Sequence, residues 1–237
     1  MAADRKITRI ENRTIRDVGE RDKLVVLDEH GIAIAYWGLA TLNRIRMTDH
    51  IDSVRLSMLD RGEQITVDTF AERITEYFQE FNPPEAMGFH IAGYLGNNPR
   101  IRHVFHEDWH DQNEFTNEET NIEFHDQEGN RHPHTQSEDY IPYLSLFNGD
   151  NVIVQSLLLS IPGFYGSSYA VDLGRLSLSE TVEIVKLLSS LTIYLPRFLR
   201  GYRQVGRICG NGLDVATITP TNIEISRNIE TMEFSLL

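Results

Sequence analysis

The chain has 237 residues, 35 of them acidic against 22 basic, and a formal charge of −13 at pH 7. That balance excludes nucleic acid and anionic membrane as partners, because binding phosphate requires clustered cations. A single cysteine excludes an internal disulfide framework and suits a reducing, cytoplasmic setting, and no apolar run approaches the ~20 residues of a membrane span.

Met1 to Thr8 reads as the tail of a strand, its small and apolar residues running straight into Asp4. Ile10 to Glu20 is polar and aperiodic, and is expected to be a loop or a weak edge strand. Next, Leu24-Val25-Val26-Leu27 and Ile32-Ala33-Ile34-Ala35-Tyr36-Trp37 flank the polar connection Asp28-Glu29-His30-Gly31, which predicts a hairpin. The second run is apolar at almost every position, as in a strand buried on both faces. After Gly38, apolar residues recur at Leu39, Leu42, Met47, Ile51, Val54 and Met58. This spacing predicts a first helix ending near Arg61-Gly62. A second helix is predicted over Val67 to Phe81 from the stripe Val67, Phe70, Ala71, Ile74, Tyr77, Phe78 and Phe81. Thr66 is its expected N-cap, since a hydroxyl there accepts from a free amide of the first turn, and Asn82-Pro83-Pro84 stops it.

Strands resume at Met87 to Leu95, turn at Gly96 to Pro99 and return over Arg100 to Phe105. His106 to Asp139 is acidic, amide-rich and histidine-rich, with a short alternating run near Thr120 to Phe124. A strand is expected at Tyr140 to Phe147, then turn and cap residues at Asn148 to Asn151. A helix follows over Val152 to Ile161, ending at Pro162-Gly163. Ser177 and Glu180 have capping-box spacing ahead of a helix carrying Ile184, Leu187, Leu188, Leu191, Leu195 and Phe198, bent or broken near Pro196. Leu213 to Thr219 and Ile223 to Ile225 form a last hairpin. With no repeat or linker, residues 1–237 are expected to be a single domain with a polar insertion at about 106–139. Strands, two helices, strands, two helices and strands in that order predict an α+β fold, with two sheets between two helical layers.

Particular segments carry a resemblance. Ala2-Ala3-Asp4-Arg5-Lys6-Ile7-Thr8 resembles the alanine-aspartate-x-x-x-threonine strand of proteasome β-type subunits. Asp22 to Leu27 followed by Ile34 to Ala40 is similar to their next hairpin and its small-residue exit. Gly88 to Tyr94 resembles a following core strand, and Leu213-Asp214-Val215-Ala216-Thr217-Ile218 resembles a late isoleucine-aspartate-valine strand. The resemblance implies the N-terminal-nucleophile (Ntn) hydrolase superfamily and its four-layer αββα sandwich.

It also implies a site. In that superfamily the nucleophile is an N-terminal Thr, Ser or Cys whose own α-amine serves as base. A further strand separates it from the motif that Ala2-Ala3-Asp4 resembles; this chain begins at the motif, so the first strand and the nucleophile are missing. Asp4 matches the aspartate that holds and polarises a lysine in the family, and is the one candidate catalytic residue. The lysine position itself falls near Gly19, and Lys23 sits too late. The family's Ser-Gly reads Asn148-Gly149 here, and its late Asp and Ser fall near Gly206 and Cys209. The implied function is a threonine-type peptidase lineage without its nucleophile and inactive as it stands, either truncated or a non-catalytic ring subunit. No cofactor is implied. The implied partners are further copies, in a ring or dimer, and a peptide or strand in the vacant groove.

Rival readings remain open. Asp4 is also explicable as a structural aspartate in a satisfied hydrogen-bond network. His103, His106, His110, His125, His132 and His134 lie among Glu107, Asp108, Asp111 and Glu123, which would make a metal-binding insertion. However, although His106-Glu107-Asp108-Trp109-His110 places histidines at i and i+4, nothing else in this amide-rich stretch supports a metal-binding helix, and a solvated insertion without metal is the expectation. Cys209 beside Arg207 could be a reactive thiol, although most lone cysteines are small core residues. A self-assembling interaction protein without chemistry is the third alternative.

Overall fold

The computed structural model describes residues 1–11, 14–81, 83, 85–106, 116–119, 123–125, 131–133, 176–194 and 212–230. In chain order, the first strands are β1 (Ala2–Asp4), β2 (Lys6–Glu11), β3 (Thr14–Glu20), β4 (Leu24–Leu27) and β5 (Ile32–Trp37). A small hairpin, β6 (Thr41–Leu42) and β7 (Ile45–Arg46), leads into helices α1 (Met47–Asp60) and α2 (Val67–Gln79). There follow β8 (Met87–Leu95), β9 (Asn98–His106), β10 (Thr116–Glu119), β11 (Glu123–His125) and β12 (Arg131–Pro133). Helix α3 (Leu178–Tyr194) precedes β13 (Gly212–Ile218) and β14 (Ile223–Glu230).

The alternation of large and small residues along β5 organises the core. Successive strand residues point to opposite faces, so Ile32, Ile34 and Tyr36 share one face and Ala33 and Ala35 the other. The large set joins a fully apolar cluster with Met47, Ile51, Val54 and Met58 of α1 and Phe70, Ala71, Ile74 and Phe78 of α2. The alanines meet Leu24 and Ala216, flanked by Met1, Ala3, Val26 and Ile218. Because those side chains are short, a second sheet can approach the first closely on that face. The first sheet has five antiparallel strands in the order β10-β9-β8-β5-β4, and the second has three, β1-β13-β14. Helix α3 contacts β1 and β13.

Local chemistry explains the helix ends. Thr66 accepts from the Thr69 amide at 3.2 Å while the Thr66 amide donates to the Thr69 hydroxyl at 2.9 Å, so the expected N-cap is part of a reciprocal box. Ser177 and Glu180 do the same at the start of α3, the Ser177 amide donating to the Glu180 carboxylate at 2.7 Å and the Glu180 amide to the Ser177 hydroxyl at 3.3 Å.

Of the two readings of Ile10 to Glu20, the strand holds: β2 pairs with β3 in an antiparallel hairpin, with a bulge between Ile7 and Thr8. Other expectations are corrected. The first helix does not start after Gly38 but at Met47, because Asn43 and Arg44 take positive φ angles of 51° and 68° and close the β6–β7 hairpin first. Leu42 is nonetheless buried and Leu39 packs on the same cluster, so the apolar spacing reported burial rather than helix there. Strand β9 begins already at Asn98, with Gly96 in the turn at φ 62°, and β14 runs on to Glu230. The strand expected at Tyr140 to Phe147, the helix at Val152 to Ile161 and Pro196 lie outside the described residues. Among the described residues no helix is long and apolar enough to cross a membrane.

Candidate functional site

Asp4 closes β1, which is held to β13 by the register Ala2 with Val215, Ala3 with Asp214 and Asp4 with Leu213. Lys23 stands one residue ahead of β4, an edge strand of the other sheet. The two meet: the Lys23 ammonium lies 3.2 Å and 3.1 Å from the two Asp4 carboxylate oxygens. Both are mostly enclosed, with side-chain exposures of 25% for Asp4 and 16% for Lys23. Lys23, which the spacing sets too late for the family's lysine, nonetheless reaches Asp4. The β2–β3 hairpin takes up the intervening residues and returns the chain to β1, where the Arg21 amide donates to the Arg5 carbonyl at 2.7 Å.

The neighbouring residues pair as well. Arg5 donates to the Asp22 carboxylate at 2.6 Å and to both oxygens of Asp214 at 3.0 and 3.1 Å. Asp214 has no solvent exposure and also accepts from Arg227 at 3.2 Å and from the Asn228 amide at 2.8 Å. A buried carboxylate is tolerated only with such compensation. Burial alone would pull the Arg5 guanidinium down, but the hydrogen bonds and charges of Asp214 and Asp22 outweigh it and hold it above its ordinary range. The Tyr36 hydroxyl donates to the Asp22 carbonyl at 2.8 Å, and burial, reinforced by the Asp22 charge, pushes that phenol up to about 12. Tyr36 is therefore a fixed neutral donor at neutral pH.

The other candidates separate. His103 and His106 are three apart on β9 and so point to opposite faces. The His103 ring stacks on Phe105 with centroids 4.4 Å apart and meets His90 edge-on at 4.8 Å, with Trp37 at 6.3 Å. His106 is buried. Among the described residues no three potential ligands converge on a metal position. His110, His134, Asn148, Gly149, Gly206 and Cys209 lie outside the described residues. A cleft of about 180 Å³ between α1 and α2 is lined by Val54, Met58, Arg61, Arg73 and Tyr77 among others and shares no residue with the Asp4–Lys23 pair. Its Arg73 is neutralised by Glu63 and Glu76.

Of the paired set around Asp4, only Asp4 was a sequence candidate. Lys23, Arg5, Asp22 and Asp214 were missed as a set; the one signal was that Asp4-Arg5 and Asp22-Lys23 are both acid–base dipeptides that can pair crosswise.

No protein-family model matches the chain, and no curated protein does. Among solved structures, a Gly-1 mutant of the Anbu protein from Hyphomicrobium sp. strain MC1 superimposes with a TM-score of 0.54 at 14% identity, over 98% of this chain and 83% of that one. The chain thus has a mixed α/β fold resembling that of Anbu, a proteasome-like architecture.

Proposed function

We propose that the chain is a proteasome-like protein of Ntn-hydrolase lineage, its layers ordered αββα, in which Asp4 and Lys23 are the part of a hydrolytic site that these residues supply. The observation that carries the reading is the Asp4–Lys23 contact at 3.1 Å, at the end of the strand that resembles the family motif. A carboxylate beside a lysine keeps a compact positive charge in place. Next to a hydroxyl nucleophile such a charge favours loss of the hydroxyl proton and stabilises the oxyanion that develops in acyl transfer. Asp4 and Lys23 can polarise a hydroxyl or thiol nucleophile but supply neither group, so the pair by itself is expected not to cleave peptides. The αββα order is supported by α1 and α2 covering one face of the five-stranded sheet and by the contacts of α3 with β1 and β13.

Assembly into a ring or dimer is the companion proposal, supported by Leu56 and Leu59, exposed three residues apart on α1. Fluorogenic peptide assays on the purified chain are expected to give no turnover; cleavage that survives Asp4→Asn and Lys23→Met would overturn the assignment of the site. An experimental structure with α3 on the same side of the sheets as α1 and α2 would overturn the lineage. Light scattering is expected to show an oligomer, and a monomer at all concentrations would remove the assembly proposal.

A further inference from the structure

We propose that Asp214 is a positioning residue for the Lys23 ammonium, acting through Arg5 and Asp22; its functional meaning rests on reading Asp4–Lys23 as part of a hydrolytic site. A lysine ends a flexible four-carbon stem, and a partly exposed ion pair by itself is worth only ~0–1 kcal/mol. Asp4 alone is therefore a weak constraint on where the ammonium rests. The structure supplies a second constraint from the neighbouring residue. Asp4-Arg5 on the three-stranded sheet and Asp22-Lys23 at the start of β4 pair crosswise, Asp4 with Lys23 and Arg5 with Asp22. Two oppositely oriented ion pairs on adjacent residues resist both sliding and rotation of one segment against the other.

Asp214 anchors that arrangement. Its carboxylate lies where the β13–β14 register shifts between Leu213 and Val215, opposite Asn228, which takes a positive φ of 51°. The bulge turns the Asn228 amide onto Asp214 Oδ1 at 2.8 Å, so the carboxylate is fixed by backbone. Bulges of this kind re-aim side chains. Arg5 Nη1 bridges from that fixed group to Asp22. The Asp22 and Lys23 carbonyls accept from Tyr36, at 2.8 Å from its hydroxyl and 3.0 Å from its amide. Arg227 adds a second tie between the sheets, donating to Asp214 at 3.2 Å and to the Leu24 carbonyl at 3.3 Å. The backbone from which the Lys23 side chain departs is thus referenced to both sheets.

Lys23 can be read directly, because the only other lysines in the chain are Lys6 and Lys186. The folded full chain is treated with limiting acetic anhydride, and acylation of Lys23 is measured by mass spectrometry against Lys186. Asp22→Asn and Asp214→Asn are each expected to raise relative acylation of Lys23 by at least about threefold, the lower range for members of one ion-pair network. Asp22→Glu, which keeps the charge, is expected to restore protection. If Asp214→Asn does not fold, Arg5→Met and the two Asp22 variants decide. Unchanged Lys23 acylation in folded Asp214→Asn, or in folded Arg5→Met where Asp214→Asn does not fold, overturns the inference, as does unchanged acylation in Asp22→Asn or an equal rise for Asp22→Asn and Asp22→Glu. The readout needs no catalysis, so a failed hydrolytic assignment leaves it standing and its own failure leaves that assignment untouched.

Discussion

Acidification is expected to destabilise the fold well above the carboxylate range, through His90 and His103. These residues face each other across β8 and β9. Burial pushes the His90 imidazole from 6.5 down to about 3, helped by the His103 charge, and burial pushes His103 down to about 4. Between those values and 6.5 the unfolded chain binds protons that the folded chain does not. Stability is therefore complete above about pH 6.5 and falls as pH drops toward the folded-state values. A fully shielded histidine contributes a slope of ~1.4 kcal/mol per pH unit; both rings are partly exposed, and screening reduces that to roughly half. Together they are expected to cost about 2 kcal/mol between about pH 6.5 and 5. Urea unfolding followed by circular dichroism should show this as a midpoint lower by about 1 M, given an m-value of about 2 kcal/mol/M. Phenylalanine preserves the stacking on Phe105 without the titration, so a His90→Phe/His103→Phe double variant should lose most of the slope. A flat midpoint from pH 7 to about 5, or an undiminished fall in the double variant, would refute the reasoning.

Two further substitutions test the packing. Gly38 has φ +82° and a Cβ there would stand 2.3 Å from the Ala86 carbonyl oxygen and 2.8 Å from Met87 Cα. Gly38→Ala is expected to lose at least about 3 kcal/mol, read as a fall in Tm of about 6–12 °C, and a Tm within ~2 °C of the parent would contradict the clash. Phe78 is fully buried, with its ring 4.8 Å from Phe89 and 5.2 Å from Tyr77; Phe78→Ala is expected to cost about 3–5 kcal/mol by urea titration. A cost below ~1.5 kcal/mol would mean that α2 closes over the gap.

How far the chain could be read in advance depended on the range of the forces involved. The stripe over Val67 to Phe81 became α2, and Thr66 capped it, because helix periodicity and capping involve residues three or four apart. Ile32 to Trp37 became a central strand for a similarly local reason. The first helix was placed too early because Leu39 and Leu42 are buried in the same cluster as α1 without being helical; burial and helicity leave the same mark when a short hairpin precedes a helix. Ile10 to Glu20 is aperiodic in sequence, yet its backbone forms strand, because β2 and β3 pair with each other in a two-stranded ladder.

The candidate site divides along the same line. Asp4 could be chosen from the sequence because it sits in a short motif. Lys23 could not, because counting along the chain measures contour length, whereas a hairpin with a bulge decides where the next residue returns. The amino-acid sequence by itself determined the β4–β5 hairpin, α2 with its Thr66 cap, and the apolar faces those elements bury. Only the tertiary structure decided that Asp4-Arg5 meets Asp22-Lys23 and that Asp214, 209 residues beyond Arg5, anchors them. Pairing between strands of two different sheets sets those distances, and no local preference encodes it.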